Sequence, residues 1–173
     1  MSIRPFPAII SLIVLFTFLT SQIAGAQDRE IPQRKDLPYG IGAQYAAPAF
    51  GVSGIYDFTN SVSGQAVLGF FGGLQSYSGR VLYRFNRKKA YDLYGYGTLG
   101  IWRYSGFGET ASATGIGGGV GIEYSWQHLF DSPDIPPLFG NIELGFVNLT
   151  GEFDNYTFSS FVYGIGIHYR FGN

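Results

Sequence analysis

The sequence has no cysteine, so neither disulfides nor thiolate metal sites hold its fold together. Beyond residue 26 it has no apolar run long enough to cross a bilayer as a helix. Charge is scarce and evenly split, with 13% charged residues and 11 basic side chains against 12 acidic ones. Nucleic-acid binding draws on a basic surplus that releases counterions, and none is present, so that class is set aside. No polyanionic tail is visible either. Histidine is limited to His128 and His168, which narrows any search for acid–base or nucleophilic chemistry.

Glycine and aromatics are abundant instead: 26 Gly, 13 Tyr and 16 Phe. That balance suits a surface only partly in water, as in a barrel ringed by aromatic girdles. At the N-terminus, Arg4 precedes an apolar run from Ala8 to Leu19 and a small-residue site, Ala24-Gly25-Ala26. This order predicts a cleaved signal peptide over 1–26 and a mature start at Gln27. Residues 27–37 are polar and mixed in charge, without apolar period, and read as a short flexible periplasmic lead-in. The remaining domain is 38–173.

From Tyr39 onward the chain divides into eight segments of alternating character separated by turn-rich stretches, a spacing that suits strands better than helices. In the last, Phe161, Tyr163, Ile165, Ile167, Tyr169 and Phe171 share one parity, against Ser160, Gly164, Gly166, His168 and Arg170, with Val162 the exception. Alternate side chains of a strand point to opposite faces, so one face is apolar and the other small or polar. The sixth segment repeats this, with Ile116, Val120, Ile122, Tyr124 and Trp126 against Gly115, Gly117, Gly119, Gly121, Glu123 and Ser125. The fourth sets Tyr77, Val81, Tyr83 and Phe85 against Ser78, Arg80, Leu82 and Arg84; the seventh sets Ile142, Leu144 and Phe146 against Asn141, Glu143 and Gly145. The first three carry Gln44, Ser53, Asp57, Ser63 and Gln65 on their polar faces. The fifth, Tyr91 to Tyr104, has large apolar residues on both parities, and its faces stay unassigned. Periplasmic turns are expected at Thr59-Asn60 and Asn86 to Lys89 and a longer one at Asp131 to Pro137, with short outer connections near Pro48, Gly72 to Ser76, Ser105 to Ala113 and Gly151 to Tyr156.

The small parity is also the polar one, and it decides which face looks inward. A soluble eight-stranded carrier fills its interior with bulky apolar side chains, which Gly115, Gly117, Gly119 and Gly121 do not supply. Small and polar residues inside a narrow barrel, with aromatics outside, predict an eight-stranded antiparallel up-and-down transmembrane β-barrel. Only a closed ladder satisfies every backbone group in hydrocarbon. Arg80, Arg84, Glu123, Glu143, His168 and Arg170 then gather in the lumen, where buried charge must be paired, predicting a salt-bridge network that plugs it.

The signal peptide, the eight segments and the ending Phe161 to Phe171 resemble the small outer-membrane β-barrel family of the OmpA/OmpX type over residues 38–173. The resemblance implies location in the cell outer membrane, with outer-membrane lipids and the outer-membrane assembly machinery as partners. It also implies that Tyr169 and Phe171 belong to the C-terminal signal that this machinery reads, although Gly172 and Asn173 follow the terminal aromatic here.

Chemistry is thinly represented, with no cofactor and no metal site indicated. The run Gly115 to Gly119 lacks the third glycine and the strand-to-helix setting of a dinucleotide loop. Asp131 and Asp134 form an ordinary turn more readily than a cation site. Asn148-Leu149-Thr150 and Asn155-Tyr156-Thr157 match a glycosylation pattern that is incidental in a bacterial barrel. Tyr39, Tyr104 and Trp126 read as interfacial girdle residues. The expectation is a non-enzymatic barrel with a structural, adhesive or envelope-stabilising role. Two alternatives stay open: a lipid-modifying hydrolase using His168 or His128, and a soluble secreted barrel binding an apolar ligand in its lumen.

Overall fold

The computed structural model describes residues 33–46, 49–106, 109–151 and 161–172. The signal peptide, the outer connection at Pro48 and the pattern at Asn155 to Thr157 lie outside them. A 3-10 turn at Arg34–Asp36 leads into eight strands: β1 Tyr39–Ala46, β2 Ala49–Asp57, β3 Val62–Phe71, β4 Leu74–Arg87, β5 Tyr91–Gly106, β6 Glu109–Ser125, β7 Leu138–Gly151 and β8 Phe161–Phe171. A short helix, α1 (Trp126–Leu129), follows β6. Each strand pairs antiparallel with its sequence neighbours, and β1 closes on β8 from Tyr39↔Phe171 to Ala46↔Gly164. The result is a closed eight-stranded up-and-down barrel, as the alternation predicts.

Face assignment follows the same logic strand by strand. Gln44, Ser53, Ser63, Gln65, Arg80, Arg84, Glu123, Glu143, His168 and Arg170 are buried in the lumen. The opposite parity is exposed, with Ile116 at 67%, Phe146 at 63% and Val120 at 57%. On β5 the assignment left open by the sequence is settled: Asp92 and Tyr94 are buried inside, on the parity of Tyr96 and Trp102, while Leu99 and Ile101 are exposed.

Inward rings explain two of the glycines on the inner parity of β6 and β7, Gly121 and Gly145. A Cβ at Gly121 would sit 2.5 Å from Tyr94 Cζ, and one at Gly145 would sit 2.4 Å from Tyr96 Oη. Beside the polar side chains that line the lumen, rings of β5 therefore reach across onto glycine at these two positions.

Three expectations need correction. Trp126 does not continue the outward face of β6: Ser125 Oγ accepts from the His128 amide and starts α1 there, because a serine at the N-cap supplies an acceptor for an otherwise orphan N–H. Tyr104 falls on the inward parity of β5, so it is no girdle residue. The connections expected at Gly72 to Ser76 and Ser105 to Ala113 are largely strand, since β4 begins at Leu74, β5 runs to Gly106 and β6 starts at Glu109. Gly72, at φ 58, supplies the left-handed residue of the tight β3–β4 turn.

A register shift in the β4–β5 pairing falls between Arg84 and Asn86. Arg84 pairs with Tyr94 and Arg87 with Asp92, leaving Phe85 as the extra residue. Strict alternation would point Arg87 outward with Phe85. The bulge places it on the face of Asp92, at the mouth beside the termini; re-aiming a side chain at a barrel rim is a recurrent use of such irregularities.

Candidate functional site

The outer wall is banded. Nearest the termini, Tyr39, Tyr56, Phe58, Tyr83, Phe85, Tyr91, Tyr169 and Phe171 are exposed aromatics. The middle carries Ile41, Val52, Val81, Leu99, Val120, Ile142 and Ile165, and Phe50, Phe70, Tyr77, Phe146, Phe161 and Tyr163 form a second aromatic row. Beyond it the outward parity turns polar at Gln75 on β4, at Arg103 on β5, at Ser112 and Thr114 on β6 and at Asn148 and Thr150 on β7, residues that the register brings side by side. From Tyr77 to Phe85 a strand advances roughly 26 Å along its axis. A tilt of about 40° reduces this to roughly 20 Å of height, close to the ~25 Å apolar band of an outer-membrane barrel.

Inside, the six residues expected to form the lumen network are all present, but in two tiers. Nearer the termini, Arg84, Arg170 and Glu123 are joined by Asp57, Asp92 and Arg34. Arg34 lies 3.2 Å from Asp57 and 3.3 Å from Asp92, and bonds Glu123. Arg84 approaches Asp57 and Asp92 at 3.5 Å and Glu123 at 3.4 Å, while Arg170 meets Asp57 at 3.2 Å and Glu123 at 3.1 Å. Of the nine possible pairings of three guanidinium groups with three carboxylates, eight fall within 3.5 Å. The Ser63 hydroxyl donates to Asp57 and accepts from Arg84, and the Phe139 ring lies 5.6 Å from the guanidinium carbons of both Arg34 and Arg170.

In the second tier, Arg80 donates to Glu143 at 2.8 Å and to Gln65 at 2.8 Å, with its guanidinium 4.1 Å above the Tyr96 ring. Tyr94 Oη donates to the other Glu143 oxygen at 2.5 Å and accepts from Asn141 at 3.3 Å. Gln65 Nε2 donates to Ser53 at 3.2 Å, and Ser53 bonds His168 Nε2. Across both tiers, four guanidinium groups (Arg34, Arg80, Arg84, Arg170) face four carboxylates (Asp57, Asp92, Glu123, Glu143), so among the described residues the interior charges balance.

Sequence reasoning placed Asp57 inward but not in the network, left Asp92 on an unassigned strand, and placed Arg34 in the lead-in. The available signal was arithmetic: the expected set held three arginines and two carboxylates, a balance no closed interior tolerates without further partners. Arg34 supplies a testable consequence. Arg34→Ala should lower unfolding free energy in detergent by about 1.5 to 3 kcal/mol, the scale of hydrogen bonds to charged groups. Adding Asp92→Asn restores the count of two cations to two anions in that tier and should recover part of the loss, read as coupling in a double-mutant cycle of urea midpoints.

Among the described residues, neither histidine belongs to a Ser–His–carboxylate triad. The buried His168 ring meets Ser53 and lies 3.4 Å from the Gln65 amide, where a triad needs a carboxylate to orient the ring. His128 lies on α1, 3.1 Å from Ser125 Oγ; partial burial and then the nearby Lys89 hold its pKa below the ordinary value.

Toward the end away from the termini the lumen narrows to a cavity of about 50 Å³ above Arg80 and Glu143, walled by Ala49, Val67, Trp102 and Val162. At the mouth beside the termini a larger concavity of about 260 Å³ opens among Arg34, Arg87, Lys88, Lys89, Ser125 and His128.

No family model matches the chain, and no curated protein matches it in sequence. Among solved structures, the attachment invasion locus protein Ail of Yersinia pestis aligns with a TM-score of 0.41 at 18% identity, covering 77% of this chain and 93% of that one. The N-terminal β-barrel domain of Pseudomonas aeruginosa OprF aligns with a TM-score of 0.57 at 15% identity, covering 77% of this chain and 95% of that one. The described strands thus share the closed eight-stranded fold of the OprF domain.

Proposed function

We propose that this chain is a bacterial outer-membrane protein whose barrel is a structural, non-conducting element of the envelope, its lumen plugged by the two-tier ionic network. The observation that carries this reading is the banded outer wall: aromatic, aliphatic and aromatic rows of bilayer height, ending in polar residues. Water would leave that surface uncompensated, whereas hydrocarbon matches it and explains why the backbone ladder closes. In this orientation the end with the termini is periplasmic, and Tyr169 and Phe171 stand on the outer face of β8 where the assembly machinery would read them.

The interior supports the structural role. A closed eight-stranded barrel has room for side chains and little else, and here that room holds paired charge. A cavity of about 50 Å³ accommodates one or two waters at roughly 30 Å³ each. It is far short of the ~300–1,000 Å³ of small-molecule sites, which disfavours an apolar ligand in the lumen. A lipid hydrolase also lacks support, because His168 is enclosed in the barrel and His128 is partnered by Ser125.

Two arginine scans test the membrane face. Val120→Arg, in the middle of the band, should cost about 2 to 4 kcal/mol in lipid vesicles, while Thr110→Arg, on the same parity beyond the polar boundary, should cost about 0 to 1. Equal effects at the two positions, or an unboiled chain that shows no heat-dependent gel shift in purified outer membranes, would overturn the reading.

A further inference from the structure

The interior carboxylates are already shared among interior guanidinium groups, which leaves the cationic group at the mouth in local excess. Asp92 and Glu123 on the cavity floor are engaged by Arg34, Arg84 and Arg170 at 3.5 Å or less. Arg87 reaches Asp92 only at 3.9 Å and is one-third exposed. Neither Lys88 nor Lys89, next in the chain and both exposed, pairs with a carboxylate among the described residues. All three line the same concavity of about 260 Å³.

Their placement has a structural cause. The extra residue at Phe85 turns Arg87 from the outer face to the mouth, and the Lys88 amide donates to the Tyr91 carbonyl at 2.8 Å, fixing the turn that presents both lysines. Across the concavity stand Ser125 and His128, a hydrogen-bonded pair that leaves one polar hydrogen free to donate outward. An arginine fork flanked by two ammonium groups matches a phosphate group, monoester or diester, better than a lone carboxylate: the fork bonds two phosphoryl oxygens at once and the lysines add attraction for the anion.

From this arrangement we infer that the mouth beside the termini is a binding site for a phosphate-bearing anion, held by Arg87, Lys88 and Lys89 against Ser125 and His128. Two sources share that chemistry: a soluble phosphate monoester, and the headgroup of an anionic phospholipid in the leaflet beside this rim. The second source rests on the membrane orientation proposed above; the site itself does not.

The test uses the isotope-labelled chain in phosphate-free maltoside micelles, following the amide resonances of Lys88, Lys89, Ser125 and His128. Sodium phosphate should shift them saturably where sodium chloride of equal ionic strength does not, and Arg87→Gln/Lys89→Gln should weaken the apparent affinity at least about tenfold. If free phosphate has no effect but phosphatidylglycerol added to the micelles gives the saturable response, the ligand is the headgroup. The site is refuted if chloride reproduces the shifts, if neither phosphate nor phosphatidylglycerol moves them, or if the double variant responds as the parent does. Retention of the heat-dependent gel shift certifies that this variant folds. Lys88→Gln, a single change on the exposed turn, gives a second reading of the same loss. The membrane reading stands or falls on the arginine scan, so the two failures are separable.

Discussion

Glu123→Gln should be the most damaging isosteric change in this barrel, lowering unfolding free energy by about 3 to 5 kcal/mol. That range is typical when one partner of a buried ionic cluster is removed and the rest stay charged. Arg34, Arg84 and Arg170 converge on Glu123 as they do on Asp57, but Glu123 is the more deeply buried of the two, its side chain 4% exposed against 10%, and the amide keeps its shape while deleting the charge. Three guanidinium groups would then share Asp57 and Asp92. Urea unfolding in detergent, followed by tyrosine fluorescence, measures the loss. Asp131→Asn, on the exposed turn after α1 and at a left-handed φ of 48 that both residues tolerate, should change the midpoint little. Comparable losses at the two positions would show that the lumen cluster contributes no more than surface charge.

Gly121→Val should interfere with barrel closure rather than merely loosen the barrel. Its Cβ would lie 2.5 Å from Tyr94 Cζ and 3.0 Å from Glu143 Cγ. The Tyr94 ring has little freedom to retreat, because its hydroxyl is tied to Glu143 at 2.5 Å and to Asn141 at 3.3 Å. Overpacking of this kind costs about 1 to 3 kcal/mol, and losing the hydrogen bond to the Glu143 carboxylate adds about 1.5 to 3. The expected result is a large fall in the heat-resistant fraction. Tyr94→Ser in the same chain should relieve it by removing the ring. Gly97→Val, on the outer face where an added Cβ meets nothing within 4 Å, should leave folding intact. A folded Gly121→Val barrel of parental stability would contradict the ring-on-glycine packing.

This packing also explains which strands could be read directly. In β8 the apolar and polar parities separate cleanly, because one face meets the outside and the other the polar lumen. In β5 both parities are aromatic or aliphatic, since Tyr94, Tyr96 and Trp102 cross the lumen. The information that sorts them lies in their partners, Gly121 and Gly145, tens of residues further along the chain, and no local period carries it. The bulge at Phe85 likewise has no local signature: Arg87 follows the apolar parity until the register shift turns it. The Ser125 cap was available as a helix start, yet the alternation of β6 carries smoothly through to Trp126 and hides it. Arg34 announces itself only through the charge balance of residues far from it.

Strand length leaves one further mark on the molecule. Strands β4 to β7 have 14, 16, 17 and 14 residues, whereas β1, β2 and β3 have 8, 9 and 10. Because the lower edges meet at a common mouth, the surplus is carried at the other end, where Arg103, Ser112, Thr114 and Asn148 mark the polar continuation of the wall. The strands therefore describe a pipe cut on the slant, taller along β4 to β7 than along β1 to β3. Among the described residues this end has no rotational symmetry, so the cylinder has a front and a back.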